Sequence, residues 1–209
     1  MPKRKTNTKF KAILFDLGKV ILDFNFEPAF KKLSKATGLS PVEIEWHFMN
    51  SGLEVLYDGG KISSRQFYAG VKKLLKHPLR YNEFKKVWNE IFTPIPEVVR
   101  LINRLCPRYR LVLISNTNAM HYAYLKSKYP LLGKFHRHIL SFREKVRKPD
   151  RRIYQKAVKA CRAHPYEIFY IDDRKDLTDA AENLGIHTFT FDRKRPQELI
   201  KKMETLRIL

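Results

Sequence analysis

An apolar run that stops abruptly on an acid sets the frame for this chain: Phe10-Lys11-Ala12-Ile13-Leu14-Phe15 leads into Asp16-Leu17-Gly18. Ile13, Leu14 and Phe15 follow one another without polar alternation, as in a strand covered on both faces of a parallel sheet. Asp16 then stands at that strand's carboxyl edge, where open α/β sheets bind ligands, and Gly18 lets backbone approach closely. An acid just ahead of a glycine also suits an ordinary turn. The same handover recurs twice. Leu111-Val112-Leu113-Ile114 runs into Ser115-Asn116-Thr117-Asn118, and Ile168-Phe169-Tyr170-Ile171 runs into Asp172-Asp173. Two adjacent acids repel each other unless a cation lies close, and a hard metal such as magnesium is the natural one. From residue 96 onward strands alternate with helices, which predicts a parallel α/β sheet.

Residues 25–93 have a different texture. Pro28 to Thr37 reads as a helix stopped by Gly38, and Ser40-Pro41-Val42-Glu43 is a capping box with proline at the first helical position. Ser63-Ser64-Arg65-Gln66 is a second capping box, for a helix to Lys76 with Phe67, Val71, Leu74 and Leu75 at helical spacing. Tyr81 to Phe92 reads as a further helix, striped by Phe84, Val87, Trp88 and Ile91. The expected organisation is a basic tail over 1–9, an α/β core from 10–24 and 94–209, and a helical bundle inserted over 25–93. Thr93-Pro94-Ile95-Pro96 reads as a stiff hinge back into the core.

The 42 basic against 21 acidic residues, a net charge of +21, favour anionic partners. The charge is spread along the chain and accompanies no nucleic-acid-binding module, so contact with nucleic acid is expected to be weak, non-specific and salt-sensitive. Cys106 and Cys161 lack metal-ligand spacing, which argues against a zinc site or disulfide framework and for a reduced, cytoplasmic protein. No run approaches the roughly 18 apolar residues of a membrane span, so the expectation is a soluble chain without membrane partners. Met1 to Lys9 has neither the apolar core nor the cleavage site of a signal peptide and reads as a solvated tail.

Phe15-Asp16-Leu17-Gly18-Lys19-Val20 resembles the first motif of the haloacid dehalogenase superfamily, in the Asp-Leu-Gly form of a capped subgroup that includes glucose-1-phosphate-type phosphatases. Ser115-Asn116-Thr117-Asn118 resembles the second motif and Asp172-Asp173 the fourth. Lys148-Pro149, opening a helix that carries Ile153 and Tyr154, resembles the third, and that context selects Lys148 over Lys145. The four stand in the family's order across Phe10 to Phe191.

The resemblance implies a doubly wound, Rossmann-like parallel sheet with an inserted helical cap. It also implies a magnesium-dependent phosphatase that hydrolyses a small phosphorylated metabolite, such as a sugar phosphate, through an aspartyl-phosphate. In that reading Asp16 is the nucleophile, supported by Lys148. Ser115, the Asn116 amide and Lys148 bind the phosphate, while Asp16, the Gly18 carbonyl, Asp172 and Asp173 hold Mg2+. Phe26, His47 and Tyr57 are candidates for contact with the substrate body, beside plainer roles in packing. Leu177 replaces an asparagine common in the subgroup, and Gly18 replaces the second acid that phosphatases of the superfamily carry. Either esters with good leaving groups are preferred, or another group takes over the acid's work. Two other readings stand beside this one: a metal-independent haloacid dehalogenase, and a catalytically silent protein that binds anionic partners such as RNA.

Overall fold

The computed structural model describes residues 8–209. Most of the basic segment 1–9 therefore lies outside the described residues, but its last two members touch the core. Thr8 Oγ1 donates to the Leu206 carbonyl at 3.3 Å, and Lys9 Nζ lies 2.8 Å from His187 Nε2.

Strand β1 (Ala12–Phe15) is followed by a tight loop, β2 (Leu22–Phe24) and five helices: α1 (Glu27–Thr37), α2 (Pro41–Asn50), α3 (Leu53–Asp58), α4 (Ser64–Leu75) and α5 (Tyr81–Asn89). Strand β3 (Phe92–Pro94) returns the chain to α6 (Pro96–Leu105), β4 (Arg110–Ser115), α7 (Ala119–Lys128), β5 (Arg137–Leu140) and the short α8 (Ser141–Glu144). The chain closes through α9 (Arg151–Cys161), β6 (Ile168–Asp172), α10 (Lys175–Glu182), β7 (His187–Thr190) and α11 (Pro196–Thr205). Among the described residues no helix is long and apolar enough to cross a membrane.

The main sheet is parallel, in the order β5-β4-β1-β6-β7. This is the doubly wound α/β architecture expected of the sequence. Successive residues of β1 serve opposite faces. Ile13 and Phe15 pack into one apolar cluster with Leu111, Leu113, Phe169 and Ile171, whereas Ala12 and Leu14 pack into another with Val112, Ile114 and Tyr170. Both faces are dry, which explains the unbroken apolar run. Phe15 is in register with Leu113 of β4 and Ile171 of β6. Asp16, Ser115 and Asp172 consequently emerge together at the carboxyl edge of three neighbouring strands, beside β1 where the chain reverses its direction across the sheet.

Helices α1 to α5 enclose their own core, with Phe30, Phe48, Phe67, Phe84 and Trp88 buried together. Both capping boxes form as expected, Ser40 with Glu43 and Ser63 with Gln66. Two expectations need correction. The helix from Tyr81 stops at Asn89 instead of Phe92, and the first half of the expected stiff hinge, Thr93-Pro94, is strand. Phe92, Thr93 and Pro94 pair antiparallel with Phe24, Asp23 and Leu22. Phe24 and Phe92 pack edge to face across this pairing, 6.0 Å between centroids, a tertiary contact of the kind that overrides a local helical pattern. Proline is tolerated because the ribbon has only edge strands.

Candidate active site

Lys148, from the loop between α8 and α9, is the centre of the site. Its ammonium, 1% exposed, donates to Asp16 Oδ1 at 2.7 Å and to Asp172 Oδ2 at 2.6 Å. It also reaches the Tyr170 hydroxyl at 3.3 Å, and that hydroxyl donates in turn to Asp172 Oδ2. Asp173, half-buried, joins Asp16 and Asp172 in a group whose carboxylate oxygens lie within 4.8 Å of one another.

Three carboxylates thus face one ammonium, and if all are ionised two negative charges stay uncompensated. Burial pushes the Asp16 carboxyl up to about 7; Lys148 pulls it back, and the charges of Asp172 and Asp173 push it further up. Asp173 is raised by burial and by Asp172. For Lys148 burial acts downward, but the two aspartates outweigh it and hold the ammonium above its ordinary value. An oxygen-rich, charge-deficient set of this kind suits a hard divalent cation. The Gly18 carbonyl accepts no backbone hydrogen bond among the described residues, because Leu22 bonds to the Leu17 carbonyl and Lys19 to Leu22.

The segment Ser115–Asn118 is pinned on three sides. Asn116 closes a reciprocal pair with Lys148: its Nδ2 donates to the Lys148 carbonyl at 3.0 Å, and the Lys148 amide donates to its Oδ1 at 2.8 Å. The Asn116 side chain therefore positions Lys148, a role the sequence reading missed in singling out only the backbone amide. Thr117 exchanges hydrogen bonds with the Ser141 hydroxyl at 2.9 and 3.0 Å. Asn118 caps α7 by accepting from the His121 amide at 3.0 Å.

A cavity opens above this segment, bounded by Leu17, Gly18, Phe24 and Ser115 to Asn118 on one side and by Phe26, Glu54, Asp58 and Trp88 on the other. Of the three residues expected to contact substrate, Phe26 lines it. Tyr57 does not: its hydroxyl accepts from the Met120 amide at 3.0 Å and lies 2.6 Å from Ser64 Oγ, which ties α3 to α7 and α4. His47 sits on α2 with its ring against Trp46. Glu54 and Asp58 were not singled out from sequence. Leu177 is buried, and its carbonyl accepts from the Tyr154 hydroxyl at 2.9 Å.

Helix α3 is held over the site by its last turn. Lys145 Nζ donates to the Gly60 carbonyl at 2.6 Å, and Gly60 has φ +62 with its Cα so close to α8 that a Cβ would lie 2.1 Å from the Phe142 carbonyl oxygen. Gly60→Ala combines a left-handed backbone with a backbone clash, and a loss of about 2–4 kcal/mol is expected. Gly133→Ala, where a Cβ meets nothing within 4 Å, is the neutral control. Thermal melts of the two variants check this, and equal melting temperatures would show that α3 does not depend on this close approach.

Comparison with known proteins agrees with this architecture. The model of the haloacid dehalogenase-like hydrolases matches residues 10–185. A haloacid dehalogenase family enzyme from Bacteroides thetaiotaomicron, crystallised with magnesium and inorganic phosphate, superposes with a TM-score of 0.79 at 25% identity, over 88% of this chain and 95% of that one. A predicted hydrolase of the same family from Porphyromonas gingivalis gives 0.79 at 24% identity, over 93% and 98%. The L-2-haloacid dehalogenase of Xanthobacter autotrophicus, with chloropropionic acid covalently bound, shares the fold at a TM-score of 0.65 and 16% identity, over 94% and 83%. Acyl-CoA dehydrogenase family member 10 of Mus musculus is 35% identical over 91 residues, which span 43% of this chain but 8% of that protein. With the family model matched over most of its length and the aspartates and lysine gathered at one sheet edge, the chain belongs to the haloacid dehalogenase-like hydrolases.

Proposed function

We propose that this hydrolase is a magnesium-dependent phosphatase of small phosphate monoesters, with Asp16 as the nucleophile. The observation that carries the reading is the shared ammonium of Lys148, 2.7 Å from Asp16 and 2.6 Å from Asp172, within a carboxylate set that lacks positive charge. Displacement of halide from a haloacid needs one nucleophilic carboxylate and no metal, whereas three clustered carboxylates around a single ammonium suit a site that takes up a cation. A dianionic phosphoryl group needs surplus cation. The Bacteroides relative crystallised with magnesium and phosphate supports the same choice.

Asp16, Asp172, Asp173 and the Gly18 carbonyl would hold the metal. When bound, magnesium supplies positive charge that offsets the carboxylates and the phosphoryl oxygens. The Ser115 hydroxyl, the Asn116 amide and Lys148 hold the phosphoryl oxygens, and the Asn116 side chain fixes the Lys148 backbone. A carboxylate oxygen of Asp16 attacks phosphorus as the ester P–O bond breaks and the alcohol leaves with a proton. Water then attacks phosphorus, which frees phosphate and restores the carboxylate.

The partner is a small phosphorylated metabolite, with a sugar phosphate as the first class to try. Nucleic acid remains a non-specific, salt-sensitive contact of the +21 surface. Cys106 and Cys161 are both free, which fits a reducing cytoplasm.

Release of phosphate from p-nitrophenyl phosphate, with and without magnesium, tests the proposal. Activity should require the metal, and Asp172→Ala should raise the magnesium concentration for half activity by roughly tenfold or more. Full phosphatase activity in excess chelator would overturn the metal dependence. Turnover of a 2-haloacid in chelator would favour the dehalogenase reading.

A further inference from the structure

Resting on the phosphatase reading, we infer that Asp58 of the cap helix α3 is the general acid and base that Gly18 does not supply. Gly18 brings no side chain to the site, and a Cβ there would crowd the Phe24 ring at 3.0 Å from its Cε1, a ring that packs against Phe26 and Phe92. An acid for a basic leaving group would have to come from another residue. Asp58 lines the same cavity as Gly18, Ser115 and Asn116. An ester whose phosphoryl group sits on Ser115 and Asn116 extends its leaving group into that cavity, toward Asp58.

The carboxyl is both buried and aimed. It is 5% exposed, and its Oδ1 accepts from Asn118 Nδ2 at 3.1 Å. The same Nδ2 lies 3.2 Å from His121 Nδ1, and His121 Nε2 lies 3.1 Å from the Trp88 carbonyl. Burial holds His121 down to about 4, so the ring is neutral at physiological pH; Nε2–H donates to Trp88 and Nδ1 accepts from Asn118. Asn118 is thereby fixed as a donor toward Asp58. The second oxygen, Oδ2, has no hydrogen-bond partner among the described residues, yet it is not a closed-off atom. It is the one available to a ligand.

The surroundings also keep a proton on it. Burial first, then the Glu54 charge one turn back on α3, pushes Asp58 up to about 7, against Asn118 and Arg147. Tyr57, beside it on α3, has its hydroxyl raised by burial. Glu54 is half-buried and has no orienting hydrogen bond among the described residues, which leaves it the weaker candidate. In the first step the Asp58 proton passes to the ester oxygen as the P–O bond breaks, leaving an alcohol and a carboxylate. In the second, that carboxylate takes a proton from the water that attacks the aspartyl-phosphate, and Asp58 is neutral again.

A leaving-group series decides the matter. Wild-type kcat/KM should change little from p-nitrophenyl phosphate to a primary-alcohol phosphate such as glycerol phosphate. Asp58→Asn keeps the oxygen that Asn118 bonds but carries no acid. It should lose about 10²–10⁴-fold on the alcohol phosphate and about tenfold or less on the aryl ester. Wild-type activity on the alcohol phosphate should fall as pH rises through about 7, because the acid form is lost, and the variant should lack that limb. Equal losses on both esters would overturn the inference, since they report positioning or folding. So would a steep leaving-group dependence in the wild type, which needs no variant to measure. A wild type inert toward every ester would overturn the phosphatase reading and this inference with it, whereas an active but steep wild type overturns the inference alone.

Discussion

Asp16→Asn is expected to suppress phosphate release by at least about 10⁴-fold while leaving the fold intact. The amide matches the carboxylate in shape, and its oxygen can still accept from Lys148 Nζ, which retains its ion pair with Asp172. It has no charge with which to attack phosphorus. The substitution should also leave the metal-free protein as stable as the wild type or more so. Burial raises Asp16 from 3.8 to about 7, so above the unfolded value its charged form is penalised in the folded state. A neutral residue removes that penalty at pH 7 and above. Loss of function with gain of stability is the expected signature of a strained nucleophile. Phosphate release and thermal melting, measured in one buffer, check both halves. Turnover near that of the wild type would rule out Asp16 as nucleophile, and a melting temperature several degrees lower would make it a structural residue.

The parts of the site that were legible in the sequence sit at strand ends. Asp16, Ser115 and Asp172 each close an apolar run, and parallel register alone brings such ends together. Lys148 was legible through its context, a Pro-Asp helix start, because lysine by itself says little among 42 basic residues. Tyr170 was read as strand filler. Its place two residues before Asp172 puts both side chains on one face, and that alternation was the available signal for a hydroxyl reaching the Asp172 carboxylate. Asp58 and Glu54 gave no such signal. They lie on a six-residue helix between Gly52 and Gly59, too short for a periodic stripe, and they are enclosed only because α3 docks on α7 and α8. The β2–β3 ribbon was hidden for a similar reason. It depends on Phe24 meeting Phe92 across 67 intervening positions, which no local pattern records.

Lys148→Met is expected to cost about 3–5 kcal/mol in the metal-free protein, the range for breaking a buried ion pair from one side. Methionine fills much of the lysine stem's volume, so the loss is chiefly electrostatic. The Asp16 and Asp172 oxygens lose their donor, and three carboxylates within 4.8 Å face no cation among the described residues they now contact. For a chain of this size that loss should lower the melting temperature by roughly 6–20 °C. Added magnesium should recover more of it in the variant than it adds to the wild type, because a ligand that binds only the folded state stabilises it in proportion to its affinity there, and the variant's carboxylates are less compensated. Activity should not return with stability, since the phosphoryl oxygens still lack the ammonium that the wild type provides. Melting curves across a magnesium titration, with phosphate release on the same samples, separate these effects. An unchanged melting temperature without metal would mean that the aspartates do not rely on Lys148 for charge balance. A magnesium response smaller than the wild type's would mean that Lys148 helps to form the cation site and does not compete with it for the carboxylates.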